Sequence, residues 1–229
     1  MKELLSIGIL PLLLTLGSYQ IGLQCQKKLK TAIANPVLIS VVLVLGFLAL
    51  TGMSNPTYQA GMAKFSWLMT PATVCLAIPM YQHFQTLRRN LPAILVGIAA
   101  GAVSCLAMVL LWAMLPGITR ELAISLLPKS VTSAIGVPLS EIAGGIGSIT
   151  TAAIILTGII ANILGSACCR LFRLTDPIAQ GVALGTSGHV IGTSRATEIS
   201  ELAGATSSLS LVVAGLLTAV IFPVVAQIL

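Results

Sequence analysis

Two stretches of the chain set charged side chains among glycine, proline and hydroxyl residues. The first, Leu127-Pro128-Lys129-Ser130-Val131-Thr132-Ser133, has the composition of a half-helix start. Free backbone amides and the positive end of a helix dipole would converge there beside an ammonium group, which suits an anion. The second runs Gly185-Thr186-Ser187-Gly188-His189-Val190-Ile191-Gly192-Thr193-Ser194-Arg195. Its glycines allow close backbone approach, and its guanidinium can hold a carboxylate with two parallel hydrogen bonds. Lys129 and Arg195 are the candidates to attract and hold a carboxylate. Ser130, Thr132, Ser187, His189 and Thr193 are the candidates to bond its remaining oxygens. Glu141 and Glu198 are the counter-charges and the candidate carriers of a coupled proton, because charge at membrane depth is costly and functional by default.

Each assignment has a plainer counterpart. Lys129 with Glu141, and Arg195 with Glu198, would serve equally as internal salt bridges that lock the two stretches. His189 alone reads as a hydrogen-bonded packing residue. Gly181 with Gly185, and Gly188 with Gly192, match the small-x-x-x-small pattern of close helix packing. Glu201 and Asp176 read as interfacial charges.

The elements that must position these residues belong to a membrane protein. Of 229 residues 56% are hydrophobic and 8% charged, too few charges to build a water-facing surface. Aromatic residues make up 4%, so the apolar mass is aliphatic and small, suited to lipid contact and tight helix packing. The net charge of +6 is not a nucleic-acid footprint, since no basic face with stacking aromatics occurs. The basic residues instead fall in short clusters between apolar runs.

Four runs with charge-free stretches of about 20 residues read directly as spans: Leu4 to Leu23, Leu91 to Leu115, Gly147 to Leu171 and Leu202 to Leu229. The first is too long for a signal-peptide core, and no small-x-small cleavage site precedes the basic cluster after it. Pro36 to Thr51 is short, and Phe65 to Phe84 is broken by Pro71 and Pro79, which brings the expected crossings to six. Leu122 to Ile142 and Ile178 to Ile199 are long enough to cross, but their polar, Gly- and Pro-rich composition is tolerated only where it is buried in protein or lines a wet cavity. They read as re-entrant or broken helical elements.

Charge bias favours that choice. With both segments re-entrant, Lys27, Lys28, Lys30, Arg88, Arg89, Arg170 and Arg173 share one side against Lys2, Lys64 and Arg120, seven against three. Both termini then lie outside. An internal repeat agrees: at an offset of 57, residues 122–160 align on 179–217 without gaps. Leu127 meets Leu184, Ser130 meets Ser187, Glu141 meets Glu198, Ile142 meets Ile199, Gly147 meets Gly204 and Gly158 meets Gly215. The expectation is an all-α integral membrane fold of six transmembrane helices plus two re-entrant or broken elements in an inverted repeat. It forms one domain, with four spans in 1–120, one repeat unit in 121–171 and the other in 176–229. Such repeats place the substrate near the midplane, where the broken elements meet.

Other chemistries find little support. Ser125 to Lys129 formally matches S-x-x-K, and Ser187 lies two residues from His189, but no companion motif of a serine acylase, zinc protease or nucleotide-binding loop occurs. Cys25, Cys75, Cys105, Cys168 and Cys169 show no C-x-x-C spacing and read as apolar packing residues. The sequence points to no enzyme, no cofactor, no metal and no nucleic acid. A Gly-rich pore assembly is the competing reading.

At Leu127 to Thr132, Gly185 to Glu198, and Gly204-Ala205-Thr206-Ser207-Ser208-Leu209, the chain resembles the CidB/LrgB family of bacterial membrane proteins over nearly its whole length. It departs from the family pattern at Ala134, where a proline is expected, and at Gly188, where a serine is expected before His189. The resemblance implies an inner-membrane location and two conflicting roles. One is an antiholin-like modulator of murein hydrolase activity and autolysis, acting with a small CidA/LrgA-type partner. The other is transport, by similarity to a plastid translocator of glycolate and glycerate and to members implicated in pyruvate uptake. Basic and hydroxyl groups at two broken helices favour the transporter, a secondary carrier of small monocarboxylates working by alternating access. A homo-oligomer, most simply a dimer, is expected from the Gly-rich faces.

Overall fold

The computed structural model describes residues 9–29, 35–63 and 65–229, and every element among them is helical. Lys2, Glu3, Lys30, Lys64 and the start of the first expected span lie outside the described residues. The chain divides into two units, Met1–Cys75 and Leu76–Leu229.

In the first unit, α1 (Ile9–Leu29) crosses α2 (Pro36–Thr51) closely enough that a Cβ on Gly22 would lie 2.7 Å from the carbonyl oxygen of Pro36. The limits of α2 follow from its ends. The Asn35 side chain accepts hydrogen bonds from the amides of Val37 and Leu38, Pro36 needs no amide partner in the first turn, and Gly52 takes a left-handed conformation after the last residue. Thr15 on α1 shares a 2.6 Å hydroxyl bond with Tyr58 on α3 (Asn55–Ala63). Beyond it come a 3-10 turn at Ser66–Leu68 and α4 (Met69–Cys75).

The second unit opens with the short helices α5 (Ala77–Gln82) and α6 (Phe84–Arg89). Pro79 explains the interruption before α5, since it has no amide to offer the carbonyl of Cys75 one turn earlier. Then follow α7 (Leu91–Ala113), α8 (Arg120–Leu126), α9 (Ser133–Ile142), α10 (Gly147–Leu171), α11 (Pro177–Ile199) and α12 (Glu201–Ile228). By length and composition α7, α10 and α12 are able to cross a membrane, and the bent pair Asn55–Ala63 and Ser66–Gln82 makes a fourth crossing if it is one span. The expected run Pro36 to Thr51 forms as α2, but 16 residues rise only about 24 Å, less than the ~30 Å hydrocarbon core.

The core sits where α7 runs beside α12. Ile94 and Ile98 pack with Ala205 and Ala214, and further along Leu106 and Val109 pack with Phe222 and Val225 together with Ile124 and Leu127 of the neighbouring segment. The first half of α11 lies on the start of α12 through its glycines. A Cβ on Gly181 would come within 2.5 Å of the carbonyl oxygen of Ala203, and one on Gly185 would strike the backbone of Ser207. This is the small-residue packing read in the sequence, and it has a measurable consequence. Gly185→Ala is expected to cost about 1–3 kcal/mol by overpacking, lowering the unfolding midpoint in detergent. Gly46→Ala, with nothing within 4 Å of the added methyl, is expected to be neutral or stabilising.

The same contacts fix the path of α11. Residues 181 and 185 meet 203 and 207 in parallel order, although only Ser200 separates the end of α11 from the start of α12. The chain must therefore double back within α11. It does so at His189, whose φ of 44° and ψ of −134° are not helical. A Cβ on Gly192 would collide with the carbonyl oxygen of Leu184, whereas in a continuous helix those residues would be about 12 Å apart.

The segment from α8 to α9 makes a similar excursion. It turns at Leu127 to Thr132 and returns along α10, with Ser140 accepting a 2.7 Å bond from Thr150. The Ser125 hydroxyl then accepts the amide of Ile146, also at 2.7 Å. The helix after each break begins 57 residues from its counterpart, at Ser133 and at Val190.

Candidate functional site

The first break is built by Pro128. The helix α8 ends at Leu126, and two tight turns follow, Lys129 N to Leu126 O and Val131 N to Pro128 O, each 3.2 Å. Leu127, Pro128 and Val131 are buried and anchor the loop, while Lys129 and Ser130 remain half-buried. Gly136 lets α9 return against this loop, since a Cβ there would lie 3.2 Å from the carbonyl oxygen of Pro128. Thr132 stands at the N-cap of α9 with extended backbone but makes no side-chain capping bond.

The second break is held from α10. The buried ring of His189 donates from Nε2 to the carbonyl of Ile154 at 3.0 Å and rests where a Cβ on Gly158 would otherwise be. Just beyond, Asn162 donates its side-chain amide to the carbonyl of Ile191 at 2.9 Å. Interrupted backbone at this depth needs such partners, and α10 supplies them. The departure at Gly188 is explained here. A Cβ there would lie 2.6 Å from that of Ala161, so a serine would not fit.

Both breaks border one cavity of about 470 Å³. Lys129 and Ser130 come from the first element and Ser187 from the second, with Thr157 contributed by α10 and Cys105 by α7. The Lys129 ammonium donates to the Ser130 hydroxyl at 3.4 Å, and the Ser187 hydroxyl donates to the carbonyl of Ala183 at 2.7 Å. Among the described residues Lys129 has no carboxylate partner, so the alternative pairing with Glu141 does not form. An ammonium with no carboxylate partner among the described residues, beside the Ser130 hydroxyl and on the same cavity as Ser187, is equipped to receive a carboxylate.

The other predicted site residues do not line this cavity. The Thr193 hydroxyl donates to the carbonyl of His189 and shares a 2.9 Å bond with Ser207, tying the returning half of α11 to α12. Arg195 donates from Nε to Ser166 at 2.9 Å and pairs with Glu198 one turn on. This is the pairing that the lock reading expects. Glu141 is exposed and folds over Gly147, where its charge meets the positive end of α10. Asp176 caps α11 through the amide of Ile178, and Glu201 lies 3.8 Å from His83 with 85% of its side chain exposed.

The lock can be weighed. Glu198→Gln is expected to change unfolding stability by less than about 1 kcal/mol, because the pair is partly exposed. Arg195→Ala also removes the tie to Ser166 and is expected to cost about 1–2 kcal/mol. Equal losses in thermal unfolding would show that the Ser166 bond contributes nothing.

Sequence reasoning passed over three residues at this site: Asn162, Thr157 and Thr186. The first had a signal, a lone amide in an otherwise apolar span. Thr186 is buried with no partner for its hydroxyl among the described residues, its methyl seated against Gly101 of α7. The Ser187 and His189 side chains bond separate backbone carbonyls, so they do not form a nucleophile and base pair.

No solved structure matches the chain. Helices long enough to span, and two interrupted segments held against one of them, describe a multi-pass membrane protein. Residues 15–228 match the model of the LrgB-like family, and the chain belongs to that family.

Proposed function

We propose that this protein is a secondary transporter of small monocarboxylates of the pyruvate, glycolate or glycerate type, working by alternating access in the bacterial cytoplasmic membrane. The observation that carries the reading is the cavity shared by both interrupted elements, with Lys129, Ser130 and Ser187 on its wall. The ammonium draws the carboxylate in, and the two hydroxyls take its oxygens. The six-span, inverted-repeat topology is part of the proposal. Its support is that the post-break helices, and the contacts of Ser125 with Ile146 and of Gly181 with Ala203, recur at close to the same 57-residue spacing. Alternating access would be rocking of one repeat against the other about the cavity.

Glu141 and Glu198 stand off the cavity, so a coupled proton would act through the Arg195 pair or the start of α10 rather than on the substrate. A homodimer and a small CidA/LrgA-type partner belong to the proposal as assembly partners. The antiholin-like reading has no specific need for an ammonium beside hydroxyls inside the protein. Purified protein in proteoliposomes is expected to show saturable uptake of labelled pyruvate or glycolate. Non-selective leakage of solutes would identify a pore instead, and no flux of any kind would favour the murein-hydrolase modulator.

A further inference from the structure

The cavity is larger and more apolar than a three-carbon acid requires. At about 30 Å³ for each water-sized unit, 470 Å³ holds about fifteen, where pyruvate has about six heavy atoms. Its polar groups are also gathered toward one end. On α10 the lining begins at Thr157 and continues through Ile160, Leu164 and Cys168 to Phe172. From Thr157 to Cys168 this stripe is about 16 Å long, and Leu184 of α11 lies against it at Gly165. Lys129 belongs to the Thr157 end, since the loop that carries it packs through Gly136 against Ile154.

A narrow annex beside that end, where Ser130, Thr186 and Thr218 stand among apolar residues, has about 10 Å³ of space, the lower limit for a single oxygen atom. The unpartnered Thr186 hydroxyl is buried there, and Ser130 borders both spaces. A carboxylate seated at Lys129 and Ser130 could present one oxygen to this annex. The rest of the molecule would then have only the apolar stripe to follow.

We infer that the site binds monocarboxylates bearing an apolar chain, straight or branched, more tightly than it binds the small hydroxy and oxo acids, with the carboxylate at Lys129 and the chain along α10. The inference rests on the transport reading for the identity of the site and adds the class of substrate. Each methylene laid on the stripe is expected to tighten binding about fourfold until the stripe is filled.

Cys168 lies on that stripe and is exposed, so its alkylation reports occupancy independently of transport. Wild-type protein in detergent is treated with N-ethylmaleimide, and labelling of Cys168 is followed by mass spectrometry. Added competitors are acetate, butyrate, hexanoate, 4-methylpentanoate and hexanamide, and pyruvate uptake is measured on the same preparation in proteoliposomes. The expected result is protection that rises with chain length, with hexanamide at least tenfold weaker than hexanoate. Saturable pyruvate uptake with a flat chain-length series would overturn the inference and leave the transporter standing. So would equal protection by hexanamide, which would mark an apolar groove with no carboxylate seat. Absence of both uptake and protection would overturn the two readings together.

Discussion

Replacing Lys129 by methionine is expected to raise the carboxylate concentration for half-maximal uptake by about 10- to 100-fold, corresponding to about 1.5–3 kcal/mol for one hydrogen bond to a charged group. The side chain is half-buried at the cavity wall, and among the described residues its hydrogen bond is the 3.4 Å contact to Ser130. Because no carboxylate pairs with it among the described residues, removing the charge strands no buried partner. Methionine keeps most of the length and all of the apolar stem, so the unfolding midpoint should stay within about 0.5 kcal/mol of wild type. Lys129→Arg keeps the charge but brings a rigid planar fork in place of a compact ammonium, and should fall between the two. Labelled-substrate uptake across a concentration series separates these outcomes. An unchanged half-saturation in the methionine variant would remove Lys129 from the site.

Much of this was legible because local chemistry sets it. Asn35, Pro36 and Gly52 bracket α2, and the apolar run from Gly147 to Leu171 becomes α10 with the same limits. Pro128 and the hydroxyls after it mark the first break, and the glycines from Gly181 to Gly192 mark the second as a place of close approach. What remained hidden depends on neighbours distant in sequence. Nothing local says that the reversal falls on His189 rather than on a flanking glycine; that follows from Ile154 and Gly158 on another helix. Nor does spacing tell which candidates share a cavity. Ser187 reaches it, while His189 and Thr193, two and six residues on, bond across to α10 and α12. Arg195 and Glu198 read from the sequence as binding groups at membrane depth, and spacing alone does not show that Arg195 also bonds Ser166 on another helix. Thr186 had no signal of its own, since a threonine among many hydroxyls becomes notable only when its buried oxygen is left without a partner among the described residues.

Substitution of His189 should invert the usual helix preference between alanine and glycine. In a helix interior glycine is the poorer residue by about 1 kcal/mol, and His189 lies in the middle of α11. Its φ of 44° and ψ of −134°, however, are a conformation that glycine adopts readily and residues with a Cβ do not. Such strain costs about 1–3 kcal/mol and persists only where surrounding contacts over-determine it. Here the contacts are the Nε2 bond to Ile154, the ring above Gly158 and the Thr193 hydroxyl on the His189 carbonyl. His189→Ala loses the ring and keeps the strain, whereas His189→Gly loses the ring and releases it. The glycine variant should therefore be the more stable of the two by about 1–2 kcal/mol, read as midpoints of chemical unfolding in detergent. It should also retain more uptake, because the turn that brings Leu184 against Gly192 and keeps Ser187 at the cavity survives. Alanine gains by straightening the segment, which carries Ser187 away from Lys129. If the alanine variant proved the more stable with uptake intact, residues 177–199 would be a continuous helix in the working protein, and the shared cavity would be lost with the turn.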